Sequence, residues 1–525
     1  MNKSFTSVAF RAALVSAFCS SMFMACRKDN KSGDNSGGNT GITTTAVTDE
    51  DSLKYLMYHT MQVSYVDGGR STNTSLPTYY WYSQVPVLDP VSSTYATADA
   101  LLEVMKTYSK GSGSTALDRY SFLDRTGSLS SALQDGVSEV NRKVSATGTY
   151  GIEVSYAADA DNNTYLQILY ADKNSPAGLK GLTRGDEITA INGDTALSYD
   201  GSSGAHVKKV IAAIYNSTSV TLAVRKFKAT TSSNYAITAG SYNINPVLFD
   251  TTYTVGDKKV GYFVFYTFTS TVNTKGAYTN TKTILDAVFS KFKAAGVTNL
   301  IVDLRYNGGG SVTTAEYLDS AIVNASAAGK PMYYYTYNDK LTANASDAGL
   351  ESSVNFPSST GGLPLSNVFF ITSKNTASAS ELTLNNLKPY MNVKLVGDST
   401  YGKPVGFITF TINKYDSTHT EKYLADLYAI NFATENANHV GGYFSGIAPD
   451  QAAIDYIDVP WGNANDDNLN YIFSYISNGS FTRSSSSERL AVQQSLNLRA
   501  SVKASVVSPR FNGMVDYRLG KRLKN

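Results

Sequence analysis

Residues 375–381, NTASASE, place three hydroxyls, Thr376, Ser378 and Ser380, at alternate positions just ahead of a helical pattern. A serine at a helix N-terminus meets unbonded backbone N–H groups and the positive end of the helix dipole, both suited to a developing oxyanion. Such a hydroxyl still needs a base within reach. The four histidines, His59, His206, His419 and His439, stand in no motif, and there is no GxSxG elbow. Lys403, in STYGKPVG, is the better candidate, because it follows the strand after the serine's helix and strand ends of one sheet share a rim. An ordinary lysine, with a pKa of about 10.4, is protonated at neutral pH; lowering it by about 3 units takes about 4 kcal/mol, which burial away from carboxylates supplies. Its neighbours Tyr401, Pro404, Val405 and Phe407 carry no acid, and Asp398 is the nearest upstream carboxylate.

The elements that must position these groups follow from periodicity. From residue 257 onward KKVGYFVFYTF reads as a strand, TKTILDAVFSKFKAAG as a helix ending at glycine, and NLIVDLRYN as a strand. TTAEYLDSAIVNA is a helix, and VFFITS, SELTLNNLKPYM and VKLVGD repeat strand, helix, strand, which predicts a covered, largely parallel sheet. NTASASE then lies at the C-terminal end of a buried strand, where open α/β sheets hold their sites. Nearer the N-terminus, DEDSLKYLMYHTMQVSY and TADALLEVMKTYS read as amphipathic helices, and the aromatic run TYYWYSQVPVLDP between them as packing surface.

Residues 148–227 are different. GTYGIEVSY, YLQILYA, DEITAINGD and SVTLAVRK are short strands separated by turn signals. SPAGLKGLTRGDEITAINGD resembles the signature of PDZ domains, and Tyr150, Gly151 and Ile152 stand where such domains hold a peptide's terminal carboxylate on backbone N–H groups. That likeness implies that a polypeptide tail adds there as a strand.

NTASASE followed by STYGKPVG, with VDLRYNGGG upstream and SGIAPD downstream, resembles the C-terminal processing peptidases, or tail-specific proteases. These are Ser-Lys peptidases with a PDZ domain inserted before a crotonase-like core. The resemblance spans roughly residues 50–480. It implies Ser378 as nucleophile and Lys403 as its base, 25 residues later, with Ser380 and Glu381 beginning the helix and Thr376 replacing a serine. The glutamine that several members carry four residues after the lysine is Phe407 here, and an aspartate of some members is Pro389, so Asn386, Tyr401 or a backbone carbonyl is left to orient Lys403. In the matching loop, Asp303 and Arg305 read as a structural pair. Glycine there permits close approach to substrate, so N–H groups of Gly309 or Gly310, with that of Ala379, are expected to form an oxyanion hole.

Composition agrees with an envelope protein. Lysine and arginine nearly balance the acids, for a net charge of +2, and no basic run marks a nucleic-acid partner. Lys3 and Arg11 flank the short apolar stretch AALVSAFCSSMFMAC, shaped like a secretory signal, and FMAC resembles a lipobox with Cys26 as the acylated residue. The polar, Gly-rich run after it is a tether whose RKDN start resembles surface-export signals of Bacteroidetes lipoproteins.

The expected organisation is a multidomain α/β protein: signal peptide at 1–26, linker at 27–48, a helical domain at 49–147, a PDZ-like domain at 148–227, a crotonase-like catalytic core at 228–480, and a basic tail at 481–525. The expected function is a serine-type endopeptidase acting on polypeptides through their C-terminal tails. It would be lipid-anchored to the outer membrane of a bacterial cell envelope, periplasmic or surface-exposed, and the resemblance implies no metal or organic cofactor. The rival expectation is a catalytically silent binding or scaffold lipoprotein on the same fold.

Overall fold

The computed structural model describes residues 48–62, 79–81, 87–109, 116–138, 149–346, 349–360, 362–416, 418–481, 498–501 and 511–519. The expected signal peptide, Cys26 and the tether lie outside these.

Two helices open the described chain, α1 (Asp49–Gln62) and α2 (Ala98–Lys106). Leu53, Met57 and Met61 recur every fourth residue on the buried face of α1, and Thr97 caps α2 by accepting the Ala100 N–H. Between them Tyr79 and Trp81 are buried, as packing surface should be. A short strand, β1 (Phe122–Asp124), and a helix, α3 (Ser128–Asp135), follow. Side chains of all four elements merge into the same hydrophobic cluster as the residues that follow position 247, so the N-terminal segment is fused to the core.

The next unit is an antiparallel β-module of β2 (Ile152–Ala158), β3 (Thr164–Ala171), β4 (Glu187–Ile191), β5 (Ser219–Arg225) and β6 (Ser232–Thr238). Asn192 and Gly193, at φ +52° and +85°, make the tight turn after β4, where a left-handed backbone favours these two residues. The module reaches beyond the expected boundary at 227, because β6 pairs with β5 along its whole length. Its own core is covered by α4 (Ala205–Tyr215), whose Val207, Val210 and Ile214 point inward.

The core then alternates as the periodicity predicts. A six-stranded sheet contains β7 (Val247–Val255), β8 (Lys258–Phe265) and β9 (Asn299–Asp303), with α5 (Asn280–Ala294) crossing between the last two. Next come β10 (Gly309–Ser311), α6 (Val312–Ile322), β11 (Pro331–Thr336) and β12 (Ser353–Asn355), and then β13 (Asn367–Thr372), α7 (Ala379–Leu387) and β14 (Val393–Gly397). Strands β8, β9, β13 and β14 are parallel neighbours, and antiparallel β7 forms one edge. All five residues of β9 are buried, as in a sheet covered on both faces.

Two long strands, β15 (Val405–Tyr415) and β16 (Glu421–Asn436), build the second large sheet, and β1 pairs with β16. The remaining elements are β17 (Gln451–Ala452), parallel to β14, and α8 (Asp467–Asn478). The tail is structured where it is described: β18 (Ala500–Ser501) extends the free edge of β2, and β19 (Gly513–Val515) inserts between β10 and β15.

Candidate active site

Three loops leave the C-terminal ends of the adjacent parallel strands β14, β13 and β9, and meet. Short hydrogen bonds tie them together. The loop after β9 offers the Leu304 carbonyl to Thr376 Oγ1 at 2.8 Å and the Asn307 carbonyl to Ala377 N and Ser380 Oγ, each at 3.0 Å. The loop after β14 is joined through Tyr401 N, which donates to the Thr376 carbonyl at 2.9 Å. Thr376 and Ser380 are therefore spent on holding loops together, and Ser378 is the hydroxyl of the three that makes no such bond.

Ser378 sits immediately before α7 with φ +59° and ψ −105°, a conformation costly for any residue with a Cβ, of order 1–3 kcal/mol. Its N–H is held by Glu381 Oε2 at 2.8 Å and its carbonyl accepts Leu382 N at 2.7 Å. Its Oγ is fully buried and makes no hydrogen bond among the described residues. Ala379, the first helical residue, has a backbone N–H that the helix does not use.

Lys403 is also fully buried. Its ammonium position lies 3.7 Å from the centre of the Phe407 ring and 4.9 Å from that of Tyr120, and Nζ donates to the Asn512 carbonyl at 2.6 Å. Burial drives its pKa well below that of an ordinary lysine, against weaker opposition from the charges of Asp118 and Glu381. Of the three groups left open for orienting this lysine, a backbone carbonyl makes the contact. Asn386 instead donates to Asp319 at 2.9 Å, and Tyr401 packs against Tyr120. The turn that carries Lys403 is buttressed from far upstream, with Tyr120 Oη donating to the Gly402 carbonyl at 2.8 Å.

Glu381 is the residue that sequence reasoning undervalued. Beyond beginning the helix, its carboxylate accepts Ser378 N and Lys403 N on Oε2, and Gly402 N and Thr400 Oγ1 on Oε1. Burial raises its pKa, and the donors around it work in the other direction. The available signal was its place three residues after Ser378, the spacing of a capping box.

The glycine loop departs from expectation at one atom. Gly309 N, expected to face an oxyanion, donates to Asn307 Oδ1 at 2.9 Å, because the Asn307 side chain turns back along its own loop. Gly310, at φ +141°, lies against Phe268, whose N–H and carbonyl bond Gly309 and Ser311. A Cβ on Gly309 would stand 3.0 Å from Ala379 N, so the loop does lie beside the start of α7.

Asp303 and Arg305 form the expected structural pair within a larger cluster. The buried Arg305 guanidinium contacts Asp303 at 2.8 Å, Asp466 at 2.7 Å and Asp455 at 3.0 Å, and Arg184 of the β-module reaches Asp455 at 2.6 Å. Burial alone would raise Asp455, but Arg184 and Arg305 outweigh it and hold the carboxyl at about 2. This cluster pins the module to the core beside the site.

Tyr150, Gly151 and Ile152 lie at the start of β2. Gly151, at φ +71°, accepts Asp172 N, and a Cβ there would fall 2.0 Å from that of Ser175, so no other residue fits. Tyr150 is buried with its hydroxyl on Ser217. Gly151 and Ile152 line a cleft of about 330 Å³ together with Tyr306, Gly308, Gly309 and Phe511. None of the histidines bonds to Ser378 or Lys403; His206 faces Ser198 and Asp200, and His439 stacks on Tyr334. No group of metal-ligating side chains is found among the described residues.

Residues 259–452, which contain all three loops, match Peptidase family S41. This region belongs to peptidase family S41. The S41 region begins within β8 and ends at β17, so Ser378, Glu381 and Lys403 lie inside it. A solved structure from Bacteroides fragilis NCTC 9343, assigned to the S41 proteases, shares the multidomain α/β fold, with a TM-score of 0.56 and 22% identity over 82% of this chain and 97% of that one. The photosystem II D1 C-terminal processing protease aligns at 19% identity over 77% of this chain and 93% of its own, with a TM-score of 0.40. No curated protein sequence matches.

Proposed function

We propose that the protein is a serine endopeptidase in which Ser378 is the nucleophile and Lys403 the general base. The observation that carries this reading is that Glu381 Oε2 binds the backbone N–H of both residues, in a pocket where burial favours the neutral amine. Ser378 Oγ attacks the peptide carbonyl carbon and Lys403 Nζ takes its proton. The resulting ammonium then protonates the leaving nitrogen as the C–N bond breaks; water, deprotonated by the neutral amine, attacks the acyl carbon, and the proton returns to Ser378 Oγ as the C–Oγ bond breaks. The unused N–H of Ala379 is placed to meet the oxyanion.

The β-module is read as a PDZ-like domain that docks polypeptide tails along β2, and the core as crotonase-like. Support comes from the cleft shared by Gly151, Ile152 and the glycine loop. Lipid anchoring at Cys26 and an outer-membrane location, facing the periplasm or the outside, complete the proposal. They rest on the signal-like N-terminus and on FMAC.

The test is labelling by a fluorophosphonate probe together with hydrolysis of unstructured polypeptides. Wild type should label at Ser378 and cleave, and Ser378→Ala should do neither while keeping its fold. Equal turnover in the two proteins would overturn the assignment, and tight peptide binding without labelling would favour the silent binding protein.

A further inference from the structure

A peptidase must admit a polypeptide main chain, yet Ser378 and Lys403 are both completely buried. Part of what lies against Lys403 is the chain's own C-terminal segment. Phe511 lines the same cleft as Gly151 and Ile152. The next residue, Asn512, takes the Lys403 amine on its carbonyl, and Ser378 Oγ is left without a partner. Residues Gly513–Val515 then run parallel to Gly309–Ser311, with Gly513 N donating to the Gly308 carbonyl at 2.8 Å. The Gly513 carbonyl lies 2.3 Å from the point where a Cβ on Gly309 would stand, and that same point is 3.0 Å from Ala379 N. A backbone carbonyl of the tail thus sits beside the N–H that a substrate's oxyanion would need.

The tail also touches the module upstream. Ala500 and Ser501 pair antiparallel with Ala158 and Ala157 on the free edge of β2, the strand that begins at the Tyr150–Gly151–Ile152 loop. The described parts of the tail therefore visit the module edge, the cleft and the dyad, in that order along the chain.

We infer that β18 and residues 511–515 mark the course of a bound polypeptide, and that the tail occupies this course as an intramolecular substitute for substrate. This rests on the serine-peptidase reading above. The occupant also describes the preferred ligand: an extended chain with a very small residue beside the glycine loop and apolar residues after it. A Cβ on Gly513 would come within 2.8 Å of the Phe407 ring, and Met514 and Val515 are fully buried. Arg518, paired with Asp516 of its own segment at 2.8 Å, anchors that segment to Glu316 of α6 at 2.7 Å. With Asn512 withdrawn, Lys403 Nζ loses its acceptor and is free to turn to Ser378.

The experiment compares the rate of fluorophosphonate labelling at Ser378 in the full chain, in Arg518→Ala, and in a chain ending at Arg510, each checked for folding by circular dichroism. Labelling should rise at least fivefold in Arg518→Ala and at least tenfold in the shortened chain. A synthetic peptide of residues 511–518, FNGMVDYR, should slow the shortened chain again. Should the shortened chain fail to fold, Arg518→Ala decides. Equal rates in full chain and folded variants overturn the occupancy and leave the peptidase intact; no labelling of any folded protein overturns the peptidase reading, and the occupancy with it.

Discussion

Glu381 and Lys403 are joined side chain to backbone: Oε2 of the glutamate accepts the lysine N–H at 2.9 Å, while also holding Ser378 N at 2.8 Å. One oxygen thus sets the separation of nucleophile and base. An amide in its place would turn an NH₂ toward two donors, whichever way it faced. Glu381→Gln should lower the unfolding free energy by about 1–3 kcal/mol, the cost of buried donors left unpaired. Activity should fall by more than the change in folded fraction, as read by denaturant titration alongside initial rates. Wild-type rates in the variant would remove Glu381 from the positioning of the dyad.

Removing the hydroxyls one at a time should separate their tasks. Ser378→Ala should reduce hydrolysis to background, and Lys403→Ala should reduce it by about 10²–10⁴-fold, the range for a lost general base. Ser380→Ala removes one bond to the Asn307 carbonyl, which still accepts Ala377 N. Its cost should be about 1 kcal/mol of stability, with turnover within a few-fold of wild type. A large loss in Ser380→Ala and a small one in Ser378→Ala would reverse the assignment.

The buried lysine makes both activity and stability depend on pH. Its folded pKa is depressed, so between that value and the unfolded value of about 10.4 the unfolded chain binds more protons, and stability rises with pH across this window. Lys403→Met should lack that contribution. Unfolding free energies measured from pH 7 to 10 should climb more steeply for wild type than for the methionine variant, and parallel curves would contradict a depressed lysine. Log(kcat/KM) should likewise increase as pH rises toward the folded pKa, then level off once the amine is neutral.

Arg305→Ala should be among the most damaging substitutions away from the dyad. It leaves buried Asp303 and Asp466 without the guanidinium that neutralises them, and Asp455 with Arg184 alone. Breaking a buried pair this way costs about 3–5 kcal/mol. Chemical denaturation should show a loss of that size, and a loss under 1 kcal/mol would mean that the cluster relaxes into solvent.

The alternating core was legible because its buried strands carry short apolar runs, such as LIV within NLIVD, and the helix TKTILDAVFSKFKAAG ends at a glycine. Strands β15 and β16 escaped notice for the opposite reason. Their outer turns, from Asn413 to Tyr423, are polar and half-exposed, and this masks the apolar alternation nearer the core. Lys403 is indicated by its place after the strand that follows the serine's helix, and Ser378 is singled out among three hydroxyls by the resemblance to the tail-specific proteases. What Lys403 bonds to could not be named, because Asn512 contributes a main-chain atom, and a carbonyl oxygen leaves no mark in the alphabet. The same holds for Gly309, whose N–H is diverted by the rotamer of Asn307.

The turn that carries Lys403 is braced by Tyr120 from one side and contacted by Asn512 from the other. These residues stand nearly four hundred positions apart in the chain. Contacts of such separation close late in folding, after the loops between them have been drawn in. A chain synthesised only as far as Arg510 has the serine, the lysine and the Tyr120 brace, but not yet the Asn512 carbonyl that occupies the amine. On the inferred occupancy, the segment that closes the site is therefore delivered after the groups it covers, and the molecule is completed in its occupied form.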